Sequence, residues 1–123
     1  MQTIETRELT ITTVGADGAA VGSGTIEDLY GLLLDVYLNF HASAPNTTDT
    51  TIAYGSPALG NILVVSNSVT DALFAPRKAI CDAAAAALAL YDLFPLNGSV
   101  SVALAGCNAL TGAVVVTLRY IRM

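Results

Sequence analysis

The chain has 123 residues, 54% of them hydrophobic and 12% charged, with ten acidic side chains against five basic ones and a formal net charge of −5. A chain of that length forms one domain, residues 1–123, with core enough to fold unaided. Its acidic balance, with a pI near 4.4, excludes the basic face on which nucleic-acid binding rests.

Charge is scarce as well as acidic. The folded surface of a 12.6 kDa chain is roughly 6,200 Å², which spreads the charged groups at about half the usual density. Exposed apolar surface of that kind marks contact with a partner, so an obligate assembly is expected. A membrane is not the expected partner, because the longest run free of polar residues and glycine, residues 83–91, is far shorter than the about 20 residues a spanning helix needs. Glu5, Arg7 and Glu8 stand where the apolar run of an export signal would begin, so none is expected.

In chain order, residues 6–14 are rich in Thr and Ile, and Leu9 and Ile11 share a face with Arg7 and Thr13, as in a half-buried strand. The tetrad Gly15-Ala16-Asp17-Gly18 predicts a hairpin turn, with residues 19–26 returning beside the first strand. Gly22 and Gly24 weaken that return and point to a bulge or to a second backbone close by. Residues 31–42 carry the clearest signal. Leu32, Leu34, Val36, Leu38 and Phe40 form one apolar face, while Leu33, Asp35, Tyr37, Asn39 and His41 form the other.

A polar loop over residues 42–48 precedes a strand over 49–54, which Gly55-Ser56-Pro57 ends. Ile62-Leu63-Val64-Val65 is short and β-branched, fitting a strand buried on both faces. Pro76 stops regular pairing before Arg77. From Lys78 to Asp92 two readings stand: the five alanines 83–87 and the spacing of Ile80, Ala84, Ala87, Leu88 and Tyr91 favour a short helix near residues 79–91, whereas the even apolarity of residues 83–90 favours a strand and a loop. Pro95-Leu96-Asn97-Gly98 predicts a turn, and residues 99–105 and 113–121 two further strands. About eight strands in so short a chain predict an all-β fold, an antiparallel β-sandwich or jelly roll.

No catalytic constellation emerges, and no enzyme, cofactor or metal site is expected. Asp35 and His41 stand six residues apart, roughly 20 Å on one strand, too far to work together with Asn39 or Ser43. Glu27 and Asp28 are adjacent and read as a solvated turn. Gly22-Ser23-Gly24 lacks the ending of a phosphate loop, and Asp49, Asp71, Asp82 and Asp92 lack the spacing of a calcium loop. Tyr37, Tyr54, Tyr91 and Tyr120 suit packing better than a sugar platform. Cys81 and Cys107 are too few for zinc, even with His41, and two buried free thiols are expected rather than a disulfide. The basic pairs Arg77-Lys78 and Arg119/Arg122 read as local salt-bridge or interface features.

Three stretches, LLLDVYLNFHASAPNTTDTTIAYG, NILVVSNSVTDALFAPRKAICD and YDLFPLNGSVSVALAGCNALTGAVVVTLRYI, resemble the small β-rich structural proteins of tailed-bacteriophage virions. The resemblance is one of texture across residues 6–121, with no diagnostic motif, and the alanine run departs from it. It implies a virion structural protein, a decoration or cement protein of the capsid that assembles as a homo-oligomer, often a trimer, and contacts the major capsid protein. The alternative within the same resemblance is a tail, baseplate or fibre-associated component, with receptor or carbohydrate binding as the role it would serve.

Overall fold

Alternating apolar residues, frequent Thr and Val, and turn residues every few positions produce nine antiparallel strands among the described residues. The computed structural model describes residues 3–123, and of Pro57 the backbone alone. The strands are β1 (Thr3–Ile11), β2 (Ala20–Phe40), β3 (Asp49–Tyr54), β4 (Asn61–Val65), β5 (Ala72–Phe74), β6 (Arg77–Cys81), β7 (Ala87–Leu93), β8 (Pro95–Cys107) and β9 (Val114–Arg122). The one helical element among the described residues is the 3-10 turn Pro57–Leu59.

The 21-residue strand β2 organises the fold. Its first half pairs with β8, from Ala20 opposite Cys107 to Leu32 opposite Pro95, and its second half pairs with β9, from Gly31 opposite Arg122 to Phe40 opposite Val114. One layer is therefore β1-β9-β2-β5 and the other β2-β8-β3-β4, with β2 contributing a half to each. Counting those halves separately gives the eight positions of a jelly roll, and β6 and β7 form a separate hairpin inserted between β5 and β8. The sandwich expected from the sequence is thus the fold found.

Gly31 sits where β2 changes partners. Its φ is 151°, and a Cβ there would lie 1.8 Å from the carbonyl oxygen of Ile121, so no side chain fits. Between the layers Leu33, Val36, Leu38, Ile52, Val102, Leu104, Val116 and Leu118 are fully or almost fully buried, each contributing about 1.5–3 kcal/mol.

Several expectations are corrected by this arrangement. The apolar face of residues 31–42 changes phase, because Leu33 pairs with Tyr120 and Asp35 with Arg119, leaving Leu34 as an extra residue. That bulge turns Leu33 inward in place of Leu34, while Val36, Leu38 and Phe40 keep the expected side. The Gly15–Gly18 turn does form: Val14 and Val21 exchange backbone hydrogen bonds of 2.9 and 3.0 Å. Beyond it the strands separate, since β1 pairs with β9 and crosses over β2 in the facing layer. Both expected features meet at Gly22, where the register with β8 shifts after Ala20 and a Cβ would lie 2.5 Å from the Thr12 carbonyl oxygen, whereas a Cβ on Gly24 would meet the side chains of Leu9 and Ile11.

Residues 95–98 do not form a turn but open β8, held against Leu29–Leu32 by ladder pairing. β4 is an edge strand with Val64 exposed, not a strand buried on both faces, because no layer covers its outer side. The short strand β5 had no sequence signal, since three residues are too few to show a period. The segment from Lys78 to Asp92 is a strand pair and a turn; the helix reading fails.

Candidate interaction surface

The turn of the β6–β7 hairpin is built by Asp82. Its carboxylate accepts hydrogen bonds from the N–H groups of Ala84 and Ala86, both at 2.9 Å, and its own N–H donates to the Ala86 carbonyl at 3.0 Å. A side chain that satisfies nearby backbone donors in this way competes with helix formation, and here it overrides the intrinsic preference of five alanines. Ala85 takes a left-handed φ of 64° to close the turn. A second left-handed residue, Ala89 at 55°, lies in the bulge where Leu88–Leu90 face Ile80 alone.

The resulting arm stands clear of the sandwich. β6 and β7 pair only with each other, and of their side chains all but Ile80 and Leu93 are exposed. Leu88 is 46% exposed, Leu90 58% and Tyr91 68%, with no charged residue between Ala83 and Tyr91. A two-stranded hairpin alone in water is marginally stable, and an apolar one is also poorly soluble. Shallow grooves flank its root, one lined by Leu32, Lys78, Ile80, Leu93 and Pro95, the other by Tyr54, Leu59, Lys78 and Asn97. The total accessible surface, 6778 Å², exceeds the roughly 6,200 Å² of a compact chain of this mass, as a projecting arm requires.

The two outer faces of the sandwich differ in charge. On the β1-β9-β2-β5 layer, Glu8, Thr117, Tyr37 and Leu73 form a row, and Arg119 lies opposite Asp35 in the next. Arg119 grips Asp35 through two hydrogen bonds, Nε to Oδ1 at 2.8 Å and an Nη2 contact to Oδ2. Those bonds hold the Asp35 carboxyl below the ordinary value of 3.8. On the β2-β8-β3-β4 layer, Ser23, Ala103, Thr51 and Val64 form one row and Thr25, Ser101, Ala53 and Asn61 the next. Residues 50–70 and 93–118 contain no charged side chain, so Asp49 is the sole charge that β8, β3 and β4 contribute to this layer.

The residues weighed for chemistry are dispersed among structural tasks. Asp35 serves Arg119, while the exposed His41 accepts a hydrogen bond from the Ser43 N–H through Nδ1 at 3.0 Å. Glu27 and Asp28 lie exposed in the bulge of β2, where Asp28 has a φ of 60°. Gly22-Ser23-Gly24 lies within β2 beside a register shift. Asp49, Asp71 and Asp92 each accept from a different backbone N–H, those of Asn67, Phe40 and Leu93, as Asp82 does in the arm. Among the described residues no three His, Cys, Asp or Glu side chains are grouped to hold a metal ion.

The tyrosines also part company. Tyr120 is buried and donates to Glu5 Oε2 at 2.7 Å, and burial pushes its hydroxyl pKa up. The same hydrogen bond, reinforced by Arg122, lowers the pKa of Glu5. Tyr54 donates to the Pro95 carbonyl at 2.8 Å and meets Phe94 edge-on, whereas Tyr37 and Tyr91 are exposed on separate elements. Arg119 and Arg122 are ion-paired with Asp35 and Glu5, and Arg77 donates to the carbonyls of Leu34 and Pro76. Cys107 is buried and free as expected, but Cys81 is free and exposed near the arm's tip, a correction that follows from the arm's isolation. No helix among the described residues is long and apolar enough to cross a membrane. Comparison with family models, with curated proteins and with solved structures finds no match for this chain.

Proposed function

We propose that this protein is a structural subunit of a tailed-phage particle, a decoration or cement protein that self-associates, as a trimer in the form the sequence resemblance implies, and braces the capsid. The observation that carries the reading is the β6–β7 arm: an apolar hairpin of no net charge that its own sandwich leaves uncovered. Such an element gains stability when a neighbour supplies the layer it lacks. The jelly roll is a frequent architecture of capsid proteins, and that analogy agrees with the reading at the level of fold. The dispersal of every candidate catalytic group agrees with a role based on packing.

The mechanism is mass action. A subunit that binds the intact lattice better than the separated capsomers shifts the equilibrium toward the closed shell. Purified protein mixed with undecorated heads is expected to bind in fixed copy number and to raise the temperature of shell rupture. Heads that stay bare and rupture at an unchanged temperature overturn the assignment.

A further inference from the structure

We infer that the β6–β7 arm of one subunit seats on the charge-poor outer face of a second copy of this chain. This rests on the arm being an assembly contact and names what it contacts. The seat is the end of the β2-β8-β3-β4 face remote from the arm, where Val14, Val21, Ser23, Ala103 and Ala105 line a shallow groove. Val14 and Val21 are 67% and 52% exposed there.

Three observations select a second copy. Arm and seat agree in charge: the arm's Arg77 and Lys78 balance its Asp82 and Asp92, so the whole net charge of −5 resides on the rest of the chain. Two such acidic bodies meet with least like-charge repulsion through charge-poor surface, and both the arm from Ala83 to Tyr91 and the residues lining the groove lack charged side chains, with Asp49 beside Ala105 as the acidic neighbour in register. They agree in volume, because Leu88, Leu90 and Tyr91 are large and exposed while Ser23, Ala103 and Ala105 are small. They also lie apart. The arm joins β8 at Pro95, and the groove borders Ala103 and Ala105, roughly 26–33 Å further along the strand. Each subunit is therefore a donor at one end and an acceptor at the other, a head-to-tail contact that closes a ring or extends a filament.

Sedimentation of the full chain tests this. The wild type is expected to sediment as a multimer, and Leu90→Asp in the arm and Ala103→Asp in the seat are each expected to reduce it to single subunits. Both positions are exposed, so circular dichroism and melting temperature should stay near wild type. An equimolar mixture of the two variants should form pairs, since the intact arm of one meets the intact seat of the other. A second measurement uses the exposed Cys81 with Val21→Cys and a bis-maleimide: cross-linked dimers are expected, and Leu90→Asp should abolish them. A variant that keeps the wild-type assembly, or a mixture that stays as single subunits, overturns the inference. A wild type that is single in solution yet binds heads also overturns it and leaves the proposed function standing; a multimer that obeys the mixing rule but ignores heads does the reverse.

Discussion

The sandwich and the arm are made of similar residues and differ in what surrounds them. β2, β8 and β9 place Val and Leu against a facing layer and leave them dry, whereas β6 and β7 hold Ala, Leu and Tyr in water. In the sandwich, β8 and β9 are held by neighbours on both edges and one face. The arm is held by one ladder, by the hydrogen bonds that Asp82 makes in its turn and, at its root, by the Arg77 hydrogen bond to the Leu34 carbonyl. Hydrophobic content alone therefore does not mark a core; a second layer does.

That contrast is sharpest in paired truncations. Leu38→Ala, in the dry interior, is expected to cost about 2–5 kcal/mol in chemical denaturation, while Leu90→Ala in the arm changes stability by no more than about 0.5 kcal/mol for dilute protein. Equal losses at the two positions would mean that the arm packs on its own sandwich. Next in size is Gly22→Ala, which pushes a methyl group against the Thr12 carbonyl between the layers. A loss of about 1–3 kcal/mol is expected, measured against Gly18→Ser at the open turn, where nothing lies within 4 Å but the left-handed backbone is still strained.

Thr50 offers a change in the opposite direction. Its hydroxyl is fully buried without a hydrogen-bond partner, so Thr50→Val is expected to stabilise the sandwich by about 1 kcal/mol, read as a raised melting temperature. In the arm, Ala85→Gly relieves the left-handed turn residue and should slow hydrogen exchange of the Ala86 amide severalfold without moving the global melting temperature.

The smallest effect is acidic. Hydrogen bonds from Arg119 lower the Asp35 pKa in the folded state, so the pair's contribution is present above the unfolded carboxyl value near 3.8 and is lost as pH falls through the lower folded value. Arg119 is half exposed, which keeps the contribution modest. Asp35→Asn should flatten the fall of melting temperature below pH 3.8; an unchanged acid limb would assign that fall to other carboxylates such as Glu5.

Much of the sandwich was legible because a strand's side-chain period is short and local. The stretch that became β3 was read to the residue, and those that became β1, β4 and β9 to within a few residues at each end. The chain's poverty in charge also pointed to exposed apolar surface, and the arm supplies it. The arm itself was half legible: its apolarity was plain, but helix and strand remained balanced. Asp82 was the available signal, a turn-forming side chain immediately before the alanines.

What the residues alone determined about this protein is its β class and its acidic, sparsely charged composition, because alternation and charge count need no knowledge of distant neighbours. Tertiary structure decided the rest. Leu34 became the extra residue of a bulge because Tyr120 and Arg119 pair on either side of it, and β1 left β2 because β9, more than a hundred residues from its start, offered a full ladder. The arm stayed exposed because no other described strand pairs with it. Pairing partners are chosen by contacts remote in sequence, and a local period carries no record of them.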